Sequence, residues 1–145
     1  MLTGAPPKFA HLGIAVSVIQ PAIDSYKRLF GYQLLSGPFD DPIQKVTVCF
    51  LAARSSSDFS IELVAPLGPG SPIDDALKKG LGAYHVCYEV ADLGRTLQDF
   101  RNLGCIVISK PVPAAAFGGR RIAWLYTPTR QLVELLESTL PEPPA

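Results

Sequence analysis

The strongest constraint on this chain is that its pattern is written twice. His11 and His85, its only two histidines, stand 74 positions apart, each at the head of a short apolar stretch, Phe9 to Val16 and Ala83 to Val90. Tyr26 and Phe100 repeat at the same spacing, as do Phe50 and Trp124, and Glu62 and Glu134 follow at 72. Periodic matches across a whole chain mark a duplicated unit. At 145 residues the chain fits one domain, or two half-domains that share a core.

Each half reads as strand, helix and three strands. In the first, Leu12, Ile14 and Val16 alternate with His11, Gly13 and Ala15 along a strand. Pro21 suits the first turn of a helix whose apolar stripe is Ile23, Tyr26, Leu29 and Phe30, and Gly31 suits its stop. A short strand Tyr32 to Leu35, a polar loop Ser36 to Gln44, a buried strand Val46 to Leu51, a Ser55 to Asp58 turn and a strand Phe59 to Val64 follow. In the second half, Tyr84 to Val90 is a strand and Asp92 caps a helix carrying Leu93, Leu97 and Phe100, which stops at Gly104. Strand Ile106 to Ile108, loop Lys110 to Gly119, and strands Ile122 to Tyr126 and Gln131 to Leu136 complete it. The expected layout is a disordered leader 1–8, a first module 9–65, a Pro/Gly-rich linker 66–82 with a short helix, a second module 83–138 and a disordered tail 139–145.

Bulk properties exclude several functions. Thirteen basic residues balance thirteen acidic ones with no clustered basic face, so nucleic-acid binding is not expected. No apolar run reaches the roughly 20 residues of a membrane span, and the N-terminus lacks a signal-peptide layout. The three cysteines, Cys49, Cys87 and Cys105, sit in apolar surroundings at spacings that match no metal knuckle or redox pair. They read as free buried thiols of a reducing compartment, and the expected location is cytoplasmic.

The alternation then speaks about four residues. Each strand can bury an aliphatic face against a helix and present His11, Glu62, His85 or Glu134 on the other; if the sheet curves, those faces line a concavity. A lone His in a strand is more often a hydrogen-bonded core or rim residue, and a lone Glu a solvated one. Four ligand-type residues at equivalent places of a repeat instead suggest a divalent metal site, with the N/O set suiting zinc, nickel, cobalt, manganese or iron. Such an ion polarises a carbonyl and stabilises an enediolate. Asp40–Asp41 reads as a solvated loop and Asp74–Asp75 as a helix start. Arg120 and Arg121, beside Gly118–Gly119, are candidates to meet a phosphate or carboxylate, although exposed arginines beside a turn usually meet water.

These features resemble a known family. The paired modules, with His-x-Gly-Ile-Ala-Val from His11 and Val-Glu-Leu-Leu-Glu from Val133, are similar to the vicinal oxygen chelate (glyoxalase/bleomycin-resistance/dioxygenase) superfamily from Phe9 to Glu137. Glu62 to Leu67, Ser71 to Ile73 and Gly118 to Leu125 resemble its methylmalonyl-CoA epimerase branch. The resemblance implies an α+β fold, two βαβββ modules forming an open curved mixed sheet around a central cavity. It implies a metal held by His11, Glu62, His85 and Glu134, with Glu134 also a catalytic base. It further implies proton abstraction beside a metal-chelated carbonyl or thioester, an acyl-CoA or other thioester substrate, and a homodimer. Gln44, Trp124, Arg120 and Arg121 are the candidate substrate contacts. Two positions depart from the epimerase pattern: Ile43, in Pro42-Ile43-Gln44, stands where the branch has a second acid, and Thr127 to Arg130 replaces a His-Pro-Lys loop. Glu62 stands where epimerases often carry Gln and also resembles the bacterial glyoxalase I set, so a lactoylglutathione lyase is an alternative. A non-catalytic small-molecule binding or resistance protein of the same fold is another.

Overall fold

The computed structural model describes residues 2–53 and 60–139; the expected turn Ser55 to Asp58, the start of the next strand at Phe59, and residues 140–145 of the tail lie outside them. The described chain forms β1 (Lys8–Ala15), α1 (Ile19–Phe30), β2 (Gln33–Asp41), β3 (Val46–Ala52) and β4 (Ser60–Pro66), then α2 (Asp74–Lys78). It continues with β5 (Ala83–Val90), α3 (Leu93–Asn102), β6 (Ile106–Val107), β7 (Val112–Pro113), a 3₁₀ turn (Ala115–Phe117), β8 (Arg121–Tyr126) and β9 (Leu132–Glu137). The fold is α+β, with the strands of each unit forming a mixed sheet. Two units divide the chain: His11–Tyr84, and Met1–Ala10 together with His85–Ala145.

The two units share one topology. In the first, β2 and β4 both run antiparallel to β3, and β1 lies parallel to β4. In the second, β6 and β9 both run antiparallel to β8, and β5 lies parallel to β9. Each helix covers one face of its own strands. Ile23 of α1 packs with Cys49, Leu51, Ile61 and Leu63, joined by Ile14, Val16 and Tyr26. Leu93 and Leu97 of α3 pack with Val90, Ala123, Leu125, Val133 and Leu135, joined by Tyr88 and Phe100. Full burial of such a side chain is worth about 2 kcal/mol, so these stripes fix which strand face turns away from the helix. The predicted boundaries hold at both helices. Gly31 adopts φ 69° and gives its N–H to the Lys27 carbonyl at 3.1 Å, the following Tyr32 N–H reaches the Tyr26 carbonyl at 3.4 Å, and the Asp92 carboxylate accepts the Arg95 N–H at 3.0 Å.

Four local expectations are corrected. The segment from Ser36 to Asp41 is strand, not loop: β2 pairs with β3 as far as Asp41↔Val46, and register shifts on either side of Ser36 absorb Gly37–Pro38. A bulge tolerates a proline because no ladder hydrogen bond is demanded there. Asp41 is buried rather than solvated and caps the following turn, accepting from the N–H groups of Ile43 (3.1 Å) and Gln44 (3.0 Å). The loop Lys110 to Gly119 contains β7 and the 3₁₀ turn. The leader is tied down, because Thr3 donates its N–H and hydroxyl to Asp99 Oδ2 at 3.0 and 2.9 Å, and Lys8 already belongs to β1.

Gly37 is the tightest point of the β2 bulge. Its φ is +91°, and a Cβ built there would meet the Val48 carbonyl oxygen at 2.9 Å and Cys49 Cα at 3.1 Å, both backbone. Gly31 has φ +69° with open space around it. Gly31→Ala is therefore expected to cost about 1 kcal/mol from conformation alone, and Gly37→Ala about 3 kcal/mol because a clash is added. Urea unfolding of both variants measures the difference.

Candidate metal centre

Strand register brings each histidine to a glutamate. In the first unit Gly13 of β1 lies opposite Glu62 of β4, and His11 is two residues earlier on the same strand face. Because Ile61 and Leu63 face α1, Glu62 faces the other way, as does His11. His11 Nε2 stands 3.5 Å from Glu62 Oε1. Phe50, opposite Glu62 in β3, sets its ring 5.3 Å from the His11 imidazole at 68°. The second unit repeats this: Cys87 lies opposite Glu134, His85 is two residues earlier, and His85 Nε2 stands 3.4 Å from Glu134 Oε1. Trp124, opposite Glu134 in β8, lies 4.8 Å from the His85 ring at 82°. All four side chains are buried, with exposures of 2% for His11, 5% for Glu62, 3% for His85 and 2% for Glu134.

The spacing inside each pair bears on what it can hold. A charge-assisted N–H···O⁻ bond is about 2.7–2.9 Å long. Two donors each about 2.1 Å from one ion stand roughly 3.0 Å apart at a right angle and 3.4 Å at a tetrahedral angle. Separations of 3.4 and 3.5 Å match the second geometry better than the first. A carboxylate removed from water is costly unless a positive charge accompanies it, and a divalent ion supplies one. Each unit thus carries one buried His–Glu pair of metal-ligand type, His11 with Glu62 and His85 with Glu134.

The thiols stand apart from this chemistry. Cys49 and Cys87 are buried and Cys105 is half-buried, all free as the sequence predicts. Burial, and next the charge of Glu62, push the Cys49 thiol up to about 12, so it stays protonated at neutral pH.

Comparison with known proteins places this architecture. The profile of the glyoxalase/bleomycin resistance protein/dioxygenase superfamily matches residues 10–124. The chain belongs to that superfamily. It is 32% identical over 118 residues to the ethylmalonyl-CoA/methylmalonyl-CoA epimerase of Cereibacter sphaeroides, covering 80% of this chain and 85% of the relative. It is 31% identical over 134 residues to the mitochondrial methylmalonyl-CoA epimerase of Dictyostelium discoideum, covering 90% and 78%. The crystal structure of methylmalonyl-CoA epimerase from Mycobacterium tuberculosis superposes with a TM-score of 0.79 at 26% identity, over 99% of this chain and 94% of that one. The chain is thus an epimerase-like member of the superfamily. No helix among the described residues is long and apolar enough to cross a membrane.

The remaining predicted site residues are placed as follows. Gln44 sits beside exposed Ile43 in the turn between β2 and β3, its N–H given to Asp41. Arg121 forms a two-pronged ion pair with Glu137, Nε to Oε2 at 3.0 Å and Nη2 to Oε1 at 2.7 Å. Arg120 is held more loosely, 3.7 Å from Glu89 and 3.4 Å from the carbonyls of Phe117, Glu137 and Ser138. The sequence reading matched Phe50 with Trp124 as a repeat pair but did not place Phe50 in the site; that 74-residue echo was the available signal.

The Arg121–Glu137 pair has a pH signature. The Arg121 hydrogen bond holds the Glu137 carboxyl below its ordinary value of 4.5. The stabilisation is therefore complete above pH 4.5 and is lost as pH falls through the lower folded-state value. Because Arg121 is 38% exposed, solvent limits the pair to about 1 kcal/mol. Glu137→Gln should cost about that much at pH 7 and progressively less as the pH is lowered below 4.5, as measured by thermal melts across the range.

Proposed function

We propose that this chain is a metal-dependent epimerase that inverts the carbon beside a thioester carbonyl in an acyl-CoA of the 2-methylmalonyl type. The observation that carries this reading is the pair of buried His–Glu couples with matching geometry at the repeat positions, in a chain 32% identical to an ethylmalonyl-CoA/methylmalonyl-CoA epimerase. His11, Glu62, His85 and Glu134 would hold one divalent ion, drawn from cobalt, nickel, zinc, manganese or iron. Two carboxylates and two neutral imidazoles cancel its charge. When bound, the ion supplies Lewis acidity toward the substrate carbonyl, which acidifies the neighbouring C–H.

The chain's own groups do the rest. Glu134 takes the proton from C2, and solvent water would return one to the opposite face of the carbon. Trp124, packed on His85, contacts whatever binds at that imidazole. Gln44 is proposed as a polar contact from the turn after β2. Arg120 is the better placed of the two arginines to meet an anionic part of the substrate, because its present partners are distant while those of Arg121 are close.

One position favours a second reading. Ile43, 58% exposed, has no proton to return to the opposite face of the carbon, and Asp41 is committed to its turn. A binding or resistance protein that kept the fold without the chemistry would look the same at this site. A lyase acting on a thiol adduct is the remaining enzymatic alternative.

Metal content and isotope exchange separate these readings. Emission spectroscopy should find about one divalent ion per chain in the wild type and almost none in His11→Ala. Incubated in D₂O with 2-methylmalonyl-CoA, the wild type should place deuterium at C2, and Glu134→Gln should slow this by about 10²-fold or more. Metal without deuterium uptake points to the lyase; neither one points to the binding protein.

A further inference from the structure

We propose that Ser109 is a positioning residue for the metal centre, acting through Trp124 on His85. This rests on the metal reading above and goes beyond it by naming what holds the second half of the site in place.

The argument begins with an interrupted ladder. β6 pairs with β8 through Ile106↔Tyr126 and Val107↔Leu125, and the Ile108 N–H still reaches the Trp124 carbonyl at 2.9 Å. In an antiparallel hydrogen-bonded pair the two residues exchange both bonds. Here the return bond changes acceptor: the Trp124 N–H goes to the Ser109 hydroxyl oxygen at 2.8 Å. Ahead lies Lys110–Pro111, where proline cannot donate to a ladder, and pairing resumes only at Val112↔Ile122. The Ser109 side chain therefore completes the rung that the backbone drops.

The position of this substitution matters because of what Trp124 touches. Its ring stands nearly perpendicular to the His85 imidazole at 4.8 Å and restricts the rotation of that ring. The first unit does the same job without help. Phe50, which packs on His11, is held by strands on both sides, opposite Ser36 in β2 and Glu62 in β4. Trp124 has a full strand partner only at Glu134 in β9; on its other side it depends on Ile108 and Ser109. Groups that orient a ligating imidazole commonly change metal affinity by 10- to 100-fold when removed.

Trp124 is the only tryptophan in the chain, so its emission reports on this spot alone. Cobalt(II) titrated into metal-free protein, followed by calorimetry, should show Ser109→Ala binding about tenfold more weakly than wild type. The Trp124 emission of metal-free Ser109→Ala should shift to longer wavelength, and Ser109→Thr, which keeps the hydroxyl, should restore both properties. Ser138→Ala deletes another backbone-bonded hydroxyl, one that donates to the Val90 carbonyl at 3.0 Å, and should leave cobalt affinity within about twofold. Wild-type affinity and emission in Ser109→Ala overturn the proposal, as does an equal loss in Ser138→Ala. If Ser109→Ala does not fold, Trp124→Phe and Trp124→Leu decide: Phe, the residue used in the sister half, should keep affinity within about threefold, and Leu should lose about tenfold. Equal affinities for those two overturn it. Should the wild type take up no cobalt, the metal reading fails, while the emission of the metal-free variants still decides whether Ser109 positions Trp124.

Discussion

The structure depends on keeping two carboxylates inside it. Glu62 and Glu134 are buried on sheet strands whose neighbours are aliphatic, each with one oxygen toward an imidazole nitrogen. A carboxylate cannot be withdrawn from water without compensation, so every surrounding feature has to deliver a partner to it. Register is the first such feature. Gly13 opposite Glu62 and Cys87 opposite Glu134 put each histidine on the correct face, and a slip of one residue would drive the glutamate into the helix-covered core. The helices α1 and α3 prevent that slip by burying Ile61, Leu63, Val133 and Leu135 on the opposite face.

Duplication explains why the same solution occurs twice, and the differences between the copies show where it was free to vary. His, Glu and an adjacent aromatic persist in both units. The strand outside the aromatic does not. β2 runs nine residues along β3, whereas β6 covers two residues of β8 before the chain turns away. The second unit compensates with side chains: Ser109 beside Trp124, the Arg121–Glu137 pair across β8 and β9, and Thr3 on Asp99 of α3. Side-chain bonds replace ladder bonds where the backbone departs from the sheet.

Much of this was legible in the residues because it rests on local periodicity. Two-residue alternation gave the faces of β1, β4, β5 and β9, helical spacing gave the stripes of α1 and α3, and Gly31 and Asp92 marked helix ends through their own conformational and hydrogen-bonding preferences. The misreadings share one cause. Ser36 to Asp41 looked like loop because proline and glycine are turn formers, yet pairing with β3 overrode that preference. Asp41 looked solvated because aspartates usually are, yet two backbone N–H groups of its own turn satisfied it.

The sequence by itself determined the repeat, the strand and helix order within each half, and the matched His and Glu positions of the two halves, since these follow from side-chain type and spacing along one chain. Only the tertiary structure decided that Glu62 meets His11 and Glu134 meets His85, that Phe50 and Trp124 stand against the imidazoles, and that Arg121 is occupied by Glu137. Those pairings depend on the register between strands, which is set when apolar faces settle against helices; the separation of two residues in the chain does not contain it.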